Sequence, residues 1–123
     1  MITRELDCSV YNETIIFCTQ CSPAKFLGYL RKEYDIDTSE IGLNRRDKKA
    51  EGLFHQDAEY YILWIKSPTD LITMVHELGH LCIQLFETKG IPITVNNDEA
   101  FTYYLSHWVG KLLAVLKEEN VSI

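Results

Sequence analysis

Residues 67–90 read SPTDLITMVHELGHLCIQLFETKG. Leu71, Val75, Leu78, Cys82 and Leu85 recur at helical spacing, so the stretch predicts an amphipathic helix running to about Glu87. Ser67 and Pro68 give a start signal, and Asp70, three positions after Ser67, completes a capping-box pattern. Gly90 supplies the stop. On this helix His76 and His80 stand one turn apart on one face, where both imidazoles can reach a single metal ion. Glu77 is rotated from His76 by about 100°. Its carboxylate therefore lies beside that ion and can act on a water molecule without being a ligand.

Outward from this helix the chain alternates strand-like and helix-like runs. Residues 14–19 (TIIFCT) are β-branched and aromatic and read as a strand, paired with residues 6–11. Ser22-Pro23 opens a short helix through Phe26, Leu27, Leu30 and Tyr34. Residues 35–52 are polar, punctuated by Gly42 and Gly52, and read as a loop with room for a helical turn. Residues 58–66 (AEYYILWIK) are the most strand-like run. Residues 91–95 fit a crossing loop or an edge strand. A last helix begins near Asn97 or Asp98, with Leu105, Trp108, Val109, Leu112, Leu113 and Leu116 as its core face. The expected fold is α+β: a small antiparallel sheet beside two or three helices, in one domain over residues 1–123.

Composition narrows the function classes. Hydrophobic residues make up 46% of the chain, enough for a core without disulfides. The net charge is −6, and residues 67–123 hold three Lys or Arg against seven Asp or Glu. Phosphate backbones are bound by clustered cations, so nucleic acid is not an expected partner. No apolar run reaches membrane-spanning length, and residues 1–8 lack the apolar core of a signal peptide. A cytoplasmic protein with reduced cysteines, and no membrane partner, is the expectation.

A catalytic zinc site uses three protein ligands and keeps a position open for water. Glu99 is the candidate for the third, 19 positions after His80 in the first turn of the next predicted helix. A reversal at Gly90 brings that helix alongside the first. The HELGH run His76–His80 with a later glutamate resembles the gluzincin branch of the zincin metallopeptidases. Glu99-Ala100-Phe101-Thr102-Tyr103-Tyr104 is similar to the Glu-Ala-x-x-aromatic run of ImmA/IrrE-type peptidases and of compact phage-encoded proteins. The resemblance covers residues 58–112, and for a phage-encoded chain it implies the host cytoplasm. It implies a zinc metallopeptidase in which His76, His80 and Glu99 hold Zn2+ and Glu77 is the general base on a protein or peptide substrate. The metzincin branch fits poorly, because its further Gly and His are replaced by Ile83 and Phe86. Many gluzincins also place an aspartate four residues after the glutamate ligand, where this chain has Tyr103.

Tyr103, one turn after Glu99, is the best-placed phenol to support a developing oxyanion, with Tyr104, His55, Tyr60 and Tyr61 as further candidates. His107 lies about 12 Å along the helix from Glu99, too far to share its zinc. Cys18-Thr19-Gln20-Cys21 is a lone C-x-x-C that could join Cys8 and His55 in a second zinc site or serve redox chemistry, while Cys82 falls on the apolar stripe. Arg45-Arg46-Asp47-Lys48-Lys49 reads as a solvated loop. A non-catalytic, zinc-stabilised structural or protein-binding module is the alternative to the hydrolase.

Overall fold

The computed structural model describes residues 1–8, 10–43 and 49–123. Most of the basic run at residues 45–49 lies outside them. Strands β1 (Ile2–Cys8) and β2 (Glu13–Thr19) precede helix α1 (Pro23–Tyr34). Strands β3 (Gly52–Gln56) and β4 (Tyr61–Ile65) follow, then helices α2 (Leu71–Thr88) and α3 (Asp98–Glu118). The fold is α+β, as the alternation of runs predicts. The sheet is mixed, in the order β1-β2-β4-β3, where an antiparallel one was expected. Antiparallel hairpins form its two margins, and β2 pairs with β4 in parallel at its centre. A parallel neighbour requires a crossover connection, which the segment carrying α1 provides.

Both faces of this sheet are covered, which explains why its central strands lack polar alternation. Ile15, Phe17, Tyr61, Leu63 and Ile65 face the core shared with α2 and α3. Ile16, Cys18, Ile62 and Trp64 face the core under α1. There Phe26 stacks on Trp64 at 5.7 Å, and the Trp64 indole N–H donates to the Cys21 carbonyl at 3.2 Å. Of strand β3 only Gly52 falls within the stretch expected as loop, and the strand's residues are mostly half-buried and alternate weakly. Helix α2 packs on β3, β4 and α3. Helix α3 is tied to β1, with Lys111 donating to the Asp7 carbonyl and Arg4 pairing with Glu119 at 2.6 Å.

Local chemistry sets the helix ends. The Ser22 hydroxyl caps α1 by accepting from the Lys25 amide at 3.3 Å. For α2 the cap is Asp70, three residues later than the Ser67 start, and its carboxylate accepts from the Thr73 amide at 3.0 Å. Asn97 precedes α3 as expected, but its side chain donates to the Pro92 carbonyl at 2.9 Å instead of capping. Gly90 ends α2 at φ 68°, where its amide donates to Glu87 and the Ile91 amide to Phe86, a left-handed stop. Residues 91–94 are irregular and lead into a 3-10 turn at Val95–Asn97. No helix among the described residues is long and apolar enough to cross a membrane.

Candidate metal centre

Leu78, Leu81, Cys82 and Leu85 are buried, so α2 turns the opposite side, with His76 and His80, to solvent. Their Nε2 atoms are 3.1 Å apart and the rings stand edge to face at 84°. Two nitrogens bound to one tetrahedral zinc at 2.0–2.1 Å are about 3.3 Å from each other. The pair thus has close to the spacing that a shared ion needs. The same spacing also serves an N–H···N hydrogen bond between neutral rings.

Glu77 is half-buried on the flank of α2 that meets the sheet. A Cβ added to Gly52 would lie 3.2 Å from Glu77 Cγ and 2.5 Å from Thr73 Cγ2. The absence of a side chain at Gly52 is what lets the edge strand and the helix of the histidines approach so closely. Asp70, which accepts from both the Thr73 amide and hydroxyl, fixes the first turn beneath this contact. Those two hydrogen bonds hold its carboxyl below the ordinary aspartate range.

Glu99 is exposed in the first turn of α3. Among the described residues no three His, Cys, Asp or Glu side chains form a metal-holding group, so the structure gathers His76 and His80 but does not bring Glu99 to them. The reason is the length of α2, which runs on to Thr88 before it reverses. The start of α3 therefore sits at the level of Phe86, where Phe101 packs edge-on at 5.6 Å. That level is about 9 Å along the helix from His80.

Tyr103 is 73% exposed and stands apart from the histidines. With Val10, Tyr11, Ala100, Tyr104 and His107 it lines a recess beside the β1–β2 turn. Tyr104 is buried against Tyr11 at 5.0 Å, and burial raises its phenol above the ordinary range. His107 packs edge-on to Trp108 at 5.6 Å. Tyr61 is buried beneath α2, while Tyr60 packs on Tyr34 at 5.1 Å beside α1. His55 pairs with Ile62, whose side chain belongs to the α1 face, so His55 lies across the sheet from α2.

All four cysteines are free and buried. The sheet separates Cys8 and Cys82 on one face from Cys18 and Cys21 on the other, so the structure does not bring Cys8 to the C-x-x-C pair as a shared zinc site would need. Burial pushes the Cys82 thiol up to about 12 and the Cys18 thiol further. Redox chemistry needs a thiolate, and these thiols are held protonated.

Two features escaped the sequence reading. Gly52 is one, and its signal was a glycine opening a short apolar run ahead of a second strand. The other is a recess of about 530 Å³ at the end of α2, lined by Ile83, Phe86, Glu87, Ile91 and Ile93. Comparison with protein-family models, with curated proteins and with solved structures found no match.

Proposed function

We propose that the protein is a zinc-dependent hydrolase of peptide bonds, acting in the cytoplasm. The observation that carries this reading is the 3.1 Å approach of two exposed imidazole nitrogens, with Glu77 beside them on the same helix. His76 and His80 would be the first two ligands and Glu99 the third, although the structure holds Glu99 apart from them. Bound zinc supplies Lewis acidity and lowers the pKa of water. Glu77 accepts the proton of the attacking water at its carboxylate and returns it to the leaving nitrogen. Strand β4 lies inside the sheet between β2 and β3 and has no free edge for a peptide. Of the two edge strands, β1 and β3, β3 is the one next to Glu77, and it offers backbone donors and acceptors to an extended peptide.

The test is zinc content and peptide turnover in wild type, Glu77→Gln and Glu99→Ala. The hydrolase reading expects about one zinc per chain, loss of turnover with zinc retained in Glu77→Gln, and weakened zinc in Glu99→Ala. Undiminished turnover by Glu77→Gln would sink it. The distance of Glu99 from the histidines favours a second reading, a zinc-binding module without catalysis. Zinc retained by wild type and Glu99→Ala alike, with no turnover, supports that one.

A further inference from the structure

The recess at the end of α2 has a chemistry of its own. It is a shallow, open depression of about 530 Å³ between the last two turns of the helix and the connection to α3. Ile83 lies three residues past His80, so the recess begins within one turn of the histidine pair. Its lining is apolar, and the surface beside it is apolar as well. Ile83 is 48% exposed, Ile93 49% and Val95 88%, in contrast to the polar residues that ordinarily fill a connection.

The rim carries Glu87, whose carboxylate has no hydrogen bond or ion pair among the described residues. Lys89, two positions on, is engaged by Glu13 at 2.9 Å. The last turn of α2 holds no basic residue, so no side chain of that turn neutralises Glu87. The unpaired carboxylate favours a cation, while the lining favours methylene groups. Lysine and arginine combine the two, a long aliphatic stem with a charged head.

We infer that this recess is a subsite for a lysine or arginine side chain of a bound peptide. The stem lies against Ile83, Phe86, Ile91 and Ile93, and the head meets Glu87. The inference rests on the hydrolase reading for its setting and names the substrate class, peptides that are basic near the scissile bond. Glu87 lies about 10 Å along α2 from His80, a span of about three extended residues, so the basic side chain falls about three positions from that bond.

The experiment is an amide-resolved NMR titration with four end-capped Ala/Ser hexapeptides that carry Lys, Arg, Leu or Glu at one position. It uses the wild-type chain without added metal and zinc-loaded Glu77→Gln. The Lys and Arg peptides are expected to shift the amides of Ile83, Glu87, Gly90 and Ile93. They should bind about twofold to fivefold tighter than the Leu and Glu peptides, the size of one exposed ion pair. Glu87→Lys should reverse that order while its spectrum stays dispersed. Equal binding of the Leu and Lys peptides, a preference that survives Glu87→Lys, or no shift at the recess overturns the inference. Turnover of the same peptides by zinc-loaded wild type separates the two claims. A Lys preference in binding without turnover leaves the subsite standing and removes the hydrolase. Turnover indifferent to the varied residue does the reverse.

Discussion

Gly52 and Thr73 set how closely the edge strand approaches the helix of the histidines. A methyl at Gly52 would meet Thr73 Cγ2 at 2.5 Å, so Gly52→Ala forces the strand or the helix to shift. Overpacking of this kind costs about 1–3 kcal/mol, to be read from urea unfolding. Adding Thr73→Ser removes the opposing methyl and keeps the hydroxyl that bonds Asp70, so the double variant should regain most of the loss. If both variants lose the same amount, the strand's backbone and not the close contact is responsible. The buried thiols make a second prediction at this scale. Cys18 and Cys82 are fully buried and held protonated, so they should react with a disulfide reagent only as fast as the protein unfolds. Rapid labelling of the native protein would contradict the burial. The sequence placed Cys82 in the core through its position on the apolar stripe. It left Cys18 and Cys21 open, because a C-x-x-C spacing carries no information about depth.

Asp70 does for α2 what Ser67 was expected to do. Replacing it with alanine should cost about 1 kcal/mol at neutral pH. The cost has a predictable pH profile. In the unfolded chain the carboxyl titrates near 3.8, and in the fold it is held lower because the ionised form accepts two hydrogen bonds from Thr73. The stabilisation is therefore complete above about pH 5 and disappears as pH falls through the folded value. Wild type and Asp70→Ala should differ by a constant amount from pH 7 to about 5 and converge below about 4. A difference that persists undiminished at about pH 2 would assign the effect to packing instead. Helix identity was legible here while helix onset was not. The apolar stripe and Gly90 marked the body and the end of α2, but Ser67 and Asp70 are both good caps, and only the turn at residues 67–70 decides between them. The strand β3 was missed for a related reason. Its pairing with β4 comes from tertiary contact and not from its own half-buried residues.

For the molecule as a whole, what could be read of the site divides between local and distant geometry. His76 and His80 belong to one helix, so four residues of spacing settle their approach, and the structure brings their nitrogens to 3.1 Å. Glu99 depends on how far α2 extends past His80 and where α3 begins, which no local pattern specifies. Metal linkage tests whether the folded chain can close that gap. A ligand that binds only the folded state at a hundred times its Kd stabilises it by about 2.7 kcal/mol. For a domain of this size that is a rise in Tm of roughly 10 °C. Wild type should show this rise on adding zinc and lose it with a chelator. His80→Ala should melt like metal-free wild type with or without zinc, because an exposed side chain contributes little to the core. Glu99→Ala separates two pictures of the fold. A much smaller zinc effect in this variant means that α3 moves its first turn toward the histidines when the ion binds. An effect equal to wild type means that the two imidazoles hold the ion without Glu99, and the remaining coordination positions are open to water or to a partner.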